Sequence, residues 1–426
     1  MNVRNNTRLR LIVMVFLEFA VWGAYLTSMG SYLASVGLAT HIGYFYTMQG
    51  IVSLFMPALV GIVADKWIPA QKVLGLCHLL AALFMGATAF YGMTAGTNVS
   101  FAILYTLYSL SVAFFMPTIA ISNSVGYSAI TQAGMSTVKD FPPIRTFGTI
   151  GFICTMVAVD ALGFQATYMQ FFVSAALSVI LGFYAFTLPN CAVNKSQEKK
   201  SIAQTLGLDA FKLFKHRRMA VFFIFSMFLG VSLQITNGYA NPFITSFGSL
   251  PQYADTFGVN HANILISLSQ VSETLCILLI PFFLSRWGIK KVMLIAMLAW
   301  VLRFGLFGLG NPGTGVWMFV LSMIVYGVAF DFFNISGSLF VENETNENIR
   351  SSAQGLFMLM TNGLGASIGT LIAQKIVNHY VFDAPAAAQL QGWSTSWFIF
   401  AGYALVVAIL FALIFKYKYK PGEYKK

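Results

Sequence analysis

Charge is scarce in this sequence. Asp, Glu, Lys and Arg together make up 9% of 426 residues, only 14 of them acidic, while 58% are hydrophobic and the mean hydropathy is +0.74. A soluble domain carries about 25% charged residues, so water is excluded as the main solvent of this chain. Cysteine is rarer still, at four residues. Cys77, Cys154, Cys191 and Cys276 lie in apolar runs or in the central basic loop, and no disulfide framework is expected. Catalytic signatures are missing too: there is no HExxH pair, no GxSxG elbow and no P-loop, which argues against an enzyme. GLGNPG, at 308–313, satisfies GxGxxG but links two apolar runs with no strand around it, so it is not a dinucleotide fingerprint. The short alternating segments of a β-barrel are also absent, and no small-residue cleavage site follows the basic N-terminus and its apolar run. That run is expected to be a retained first helix.

What is present is long apolar runs. About twelve satisfy the length of a membrane-spanning helix, which predicts an all-α polytopic membrane protein. The net charge of +11 belongs to this topology and not to nucleic acid. With both termini on one side, every Lys and Arg except Arg145, Arg303 and Lys375 falls in the tails or in alternate connections, and the intervening connections near Thr97, Gln165, Asp255, Gly313 and Asp383 carry none. The positive-inside rule then predicts cytoplasmic termini, and a bacterial inner membrane is the natural setting.

A repeat divides the chain. GIVADKWIPAQKVLG, ending the second run, returns as LSRWGIKKVML at 284–294, with Arg286-Trp287 echoing Lys66-Trp67; Gln270 stands before the second phrase much as Gln49 stands before the first. Two copies in one orientation predict two parallel six-helix bundles, the architecture of a transporter. The expected divisions are a bundle over 1–188, a cytoplasmic linker over 189–218 with an amphipathic surface helix in LGLDAFKLFKHRR, and a bundle with a basic tail over 219–426. The helix end around Asp65 resembles the loop-two signature of the major facilitator superfamily, which implies a gating role for that acid. The match is partial, because Pro69, Ala70 and Gln71 replace the pattern's glycine and basic residues.

The remaining information lies in polar residues at bilayer depth, where an ionised group costs roughly 2.5–3.5 kcal/mol and normally faces protein or a water-filled cavity. NILISLSQVSETLCILLIPFF, at 263–283, carries Gln270 and Glu273 in its middle, on one helix face. Arg145, Thr149 and Phe152 follow at i, i+4 and i+7 after two prolines expected at a helix start. Gln234 and Asn237 repeat the i, i+3 amide pairing. Tyr326 and Phe330 stand one above the other, and Asp331 projects about 100° away, toward a neighbouring helix or an arginine such as Arg303. In the first run Glu18, Trp22, Tyr25 and Met29 form a stripe; Glu18 is either functional or a snorkelling acid, and His78 reads as a packed residue. Each polar group alone has a plainer explanation, as an interhelical hydrogen bond worth about 0.6–2 kcal/mol. As a set, amides suit hydroxyls and a base edge, and aromatic faces suit stacking at ~1–3 kcal/mol per base. The carboxylates are not needed to bind such a neutral solute as anions, and they point to proton coupling.

The motifs FPPIRTFGTIGF, LQITN, SQVSETLCILLIPFFLSRWGIKKVM and LSMIVYGVAFDFFNISGS resemble the nucleoside:H⁺ symporter family of the major facilitator superfamily, over essentially the whole chain. The resemblance implies a major facilitator fold of twelve transmembrane helices and proton-coupled uptake of nucleosides such as uridine and adenosine without cofactors; a monomer is the default expectation. It implies a nucleoside site built by Arg145, Thr149 and Phe152 together with Gln234, Asn237, Gln270, Glu273, Tyr326 and Phe330, with Asp331 and Glu273 coupling protons. Glu18 departs from it, standing where the resemblance implies glutamine, and leaves open a further protonation site. The competing reading is a major facilitator transporter of another neutral polar solute such as a sugar.

Overall fold

The computed structural model describes residues 3–191 and 208–417. Most of the predicted linker therefore lies outside the described residues, as does the side chain of Asp65, on which the gating reading falls. Every regular element among the described residues is helical, the expected outcome for long apolar runs whose backbone groups must be satisfied within the segment. Nine of these helices are long and apolar enough to cross a membrane. Large apolar side chains cover the outer faces: Leu278 is 75% exposed and Leu413 69%, which is tenable in lipid and not in water. The four cysteines are free.

The chain divides into two compact units at the 206/207 boundary. The first holds α1 (Val3–Gly23), α2 (Met29–Ser35), α3 (Ile42–Lys66), α4 (Ala70–Ala95), α5 (Phe101–Gln132), α6 (Thr137–Ala161) and α7 (Met169–Ala185). The second holds α8 (Arg217–Leu233), α9 (Ile235–Ser246), α10 (Ala262–Leu309), α11 (Val316–Glu344), α12 (Glu347–Met358), a π-helical turn (Leu359–Gly365), α13 (Ala366–Val377) and α14 (Gln389–Ile414). At 48 residues α10 would run about 72 Å at 1.5 Å per residue, far beyond one ~30 Å crossing. It is two helices that meet at Gly288, where φ is 73° and ψ 169°, a backbone conformation that only glycine takes at little cost.

Within each unit the packing order repeats. In the first, α1 packs on α6, α3 on α5, and α4 on α7. In the second, α8 packs on the π-helical turn and α13; the first half of α10 meets α11 through Ser272 and Gly327; and the second half meets α14, where Phe307 stacks on Trp397 at 4.6 Å. The sequence repeat is thus also a repeat of packing partners.

Three expectations are corrected. The first run, expected as a single retained helix, is interrupted between Gly23 and Met29, and the run that holds Gln234 and Asn237 is interrupted at Gln234. The pair Pro142-Pro143 sits more than a turn inside α6, which starts at Thr137 where the Ser136 backbone N–H donates to Asp140 Oδ2 at 2.9 Å. The described end of the linker, Leu208–Lys215, is a 3₁₀ helix, with Ala210 and Leu213 buried and Phe211 exposed.

Candidate functional site

In the first unit the face predicted on α6 exists and turns toward α1. The Arg145 guanidinium lies 3.9 Å over the ring of Phe19, and the Phe152 ring meets Trp22 edge-on at 6.2 Å and 90°. Thr149, between them and half-buried, forms no side-chain hydrogen bond among the described residues. Two helices approach this closely because Gly23 packs against the backbone carbonyl of Phe152, in space a Cβ would need. Trp22 adds a polar end: its Nε1 donates to Gln49 Oε1 at 3.3 Å, and Gln49 Nε2 donates to the Tyr108 hydroxyl at 2.8 Å. Trp22 belonged to a stripe visible in the sequence, but nothing there linked it to Phe152 or to Gln49, which lie on other helices.

In the second unit the predicted residues gather on α8–α11. Gln234 occupies the joint between α8 and α9, at φ −91° and ψ −10°, and its Oε1 accepts from Asn237 Nδ2 at 2.9 Å. The interrupted helix leaves the amide pair half-buried, with the Gln234 carbonyl accepting from the Gly238 backbone N–H at 3.1 Å as the first bond of α9. On α11 the rings of Tyr326 and Phe330 stack, 5.6 Å apart and 14° from parallel, as one turn of helix predicts. Gln270 lies beside the Tyr326 hydroxyl, and Glu273 lies near enough for its charge to act on both Tyr326 and Asp331. Gln270 and Tyr326 match Gln49 and Tyr108: in each unit an amide on the second crossing reaches a tyrosine on the fourth.

Asp331 is 5% exposed, and its Oδ2 has no hydrogen-bond partner among the described residues. Arg303 does not pair with it, which removes that arginine from the two alternatives left by the sequence. Arg303 is buried as well, with Nη1 donating to the Ser322 carbonyl at 2.6 Å and the guanidinium 4.6 Å over the Tyr326 ring. It therefore packs on the Tyr326 ring, which Trp300 also meets, at 6.0 Å and 88°. A cation held over a ring in a desolvated site contributes about 2 kcal/mol, and here it fixes the Tyr326 plane. Sequence reading missed this positioning role, since one arginine in an apolar run carries no sign of what it stacks on.

Glu18 is not a snorkelling acid. Its side chain is 0% exposed and bonded to an equally buried His78. The structure contains no group of three or more His, Cys, Asp or Glu that could hold a metal, among the described residues.

Comparison with known proteins places this geometry. The family model described as nucleoside H⁺ symporter matches residues 5–420. The nucleoside permease NupG of Escherichia coli strain K12 is 48% identical over 418 residues, covering 97% of both chains, and the xanthosine permease of the same organism is 46% identical over 420 residues, covering 98% of both. The crystal structure of NupG superposes with a TM-score of 0.88 over 97% of this chain and all of that one.

Proposed function

The chain belongs to the nucleoside H⁺ symporter family, a group of proton-coupled nucleoside transporters and not enzymes, and from that premise we propose how its own residues do the work. It is an all-helical membrane protein of the major facilitator fold. Counting α10 twice and adding α1 and α7 to the remaining long apolar helices gives the twelve crossings of that fold.

The nucleoside contacts are Arg145, Thr149 and Phe152 on α6, and Gln234, Asn237, Gln270, Glu273, Tyr326 and Phe330 on α8–α11. The observation that carries this assignment is the Tyr326–Phe330 stack with Gln270 beside the Tyr326 hydroxyl: a flat apolar face next to an amide offers what a base needs. The free Thr149 hydroxyl and the Gln234–Asn237 pair supply donors and acceptors for ribose hydroxyls. Asp331, with an unpartnered carboxylate oxygen in a buried setting and Glu273 nearby, takes up and releases the coupled proton. Uptake proceeds by alternating access across a bacterial inner membrane, with both termini cytoplasmic, no cofactor, and a monomer as the working unit. Uridine and adenosine are the expected cargo.

Proteoliposomes with an imposed inward proton gradient test the reading directly. Radiolabelled uridine accumulates and the accumulation collapses with a protonophore. If neither uridine nor adenosine is accumulated, the assignment of cargo fails.

A further inference from the structure

The first unit buries an ionisable pair that the nucleoside site does not use. Glu18 on α1 and His78 on α4 have side chains with no solvent exposure, and His78 Nε2 stands 2.9 Å from Glu18 Oε2. Two hydroxyls complete the cluster. Thr118 Oγ1, on α5, lies 2.6 Å from Glu18 Oε1 and 2.5 Å from the Phe115 carbonyl. Ser178 Oγ, on α7, lies 2.9 Å from both His78 Nδ1 and the His78 carbonyl.

Counting hydrogens limits what this cluster can hold. The Ser178 hydroxyl donates its one hydrogen to the His78 carbonyl, so Nδ1 must carry a hydrogen and donate it to Ser178 Oγ. The proton between Nε2 and Oε2 then belongs to either partner, as an imidazolium–carboxylate pair or a neutral imidazole–carboxylic acid pair, and both satisfy every bond. In that one-proton state Thr118 donates to Glu18 Oε1. The Thr118 hydroxyl has a second acceptor within reach, however. When it turns to the Phe115 carbonyl, its oxygen is free to accept, and Glu18 Oε1 can carry a second proton and donate it there while Nε2 keeps the first. The added proton comes from water, forms one O–H bond on Oε1, and leaves by the reverse rotation. No group is left without a partner in either state, which is the condition a buried polar cluster must meet.

We propose that Glu18 and His78, gated by the Thr118 hydroxyl, form a second proton-binding site of this transporter, loaded and emptied in each cycle in addition to the acids on α10 and α11. This rests on the transport reading above and supplies its proton stoichiometry. The cluster is placed to sense the nucleoside contacts. His78 meets Phe115 at 6.0 Å, Phe115 meets Trp22 at 6.3 Å, and Trp22 meets Phe152, so one aromatic layer separates proton from site. Cys77, next to His78 on α4, is near enough for the Glu18 charge to act on it, and the elements packed around the cluster carry other ionisable groups: Tyr25 after α1, Tyr108 on α5 bonded to Gln49, Arg145 and Asp160 on α6, and Tyr184 on α7, whose hydroxyl donates to the Arg10 carbonyl.

The test is the limiting accumulation of uridine in proteoliposomes with the membrane potential clamped at zero. One pH unit sustains about tenfold accumulation per coupled proton, hence about a hundredfold with two. The full-length parent is expected at about a hundredfold, and Glu18→Gln and His78→Asn at about tenfold. Thr118→Val, which keeps the ionisable pair and removes the rotating hydroxyl, is expected at the lower limit, and Thr118→Ser at the parent's. A parent that accumulates in response to the gradient, with Glu18→Gln and Thr118→Val at the same limit, overturns the second site and leaves the transport reading intact. A parent with no gradient-driven accumulation overturns both. Where Glu18→Gln does not fold, the Thr118 pair decides.

Discussion

Two buried acids in this chain are treated in opposite ways. Glu18 has a bonded partner for each oxygen, whereas Asp331 keeps one oxygen without any among the described residues. A buried polar atom left unpaired costs about 1–3 kcal/mol, and such a cost persists where the atom has a task. Asp331→Asn is therefore expected to retain nucleoside exchange while losing accumulation against a gradient, measured as uptake that a protonophore no longer diminishes. Gln270 is a contact of a different kind, an amide held against Tyr326 and presented to solute. Gln270→Ala should raise the Kd for uridine about tenfold, the loss of about 1.4 kcal/mol, in a binding measurement on purified protein. The residue types and their helical spacing were legible in sequence. The partners were not: Arg303 stacks on Tyr326 and ignores Asp331, because which side chain meets which is set by how separate helices pack.

Among the elements, the interruptions matter most. The first crossing breaks after Gly23, the seventh at Gln234, and α10 turns at Gly288. Hydropathy averages over a window and misses the first two, since Ala24 to Ser28 and Gln234 lie inside otherwise continuous runs, whereas the turn at Gly288 falls in the basic phrase 284–294 that the repeat already set apart. Close helix approach is equally specific. A Cβ on Gly327 would meet the Ser272 carbonyl oxygen at 2.5 Å and Cys276 Sγ at 2.8 Å. Gly327→Val must force α11 away from α10 and shift Tyr326 beside it. Overpacking of this kind costs about 1–3 kcal/mol, so the variant is expected to melt at lower temperature in detergent and to bind uridine more weakly. Uridine affinity unchanged alongside a lowered melting temperature would mean that the Tyr326 plane does not depend on this crossing.

For the whole molecule, orientation follows from basic residues and is open to chemical labelling. With the native cysteines replaced by serine, Thr97→Cys, exposed in the connection after α4, should react with a membrane-impermeant maleimide in intact cells. Lys212→Cys, exposed in the 3₁₀ helix, should react only after permeabilisation. The reverse pattern would invert the topology.

The sequence by itself determined the solvent, the helical class, the repeat and the residue types of the site. Lipid demands long apolar runs with internally bonded backbones, and a charge at that depth stands out against them. Tertiary structure alone decided that Glu18 joins His78, that Trp22 meets Phe152, and that Arg303 braces Tyr326. Periodicity tells which face of one helix a residue occupies, and these contacts depend on which second helix is packed against that face and at what height.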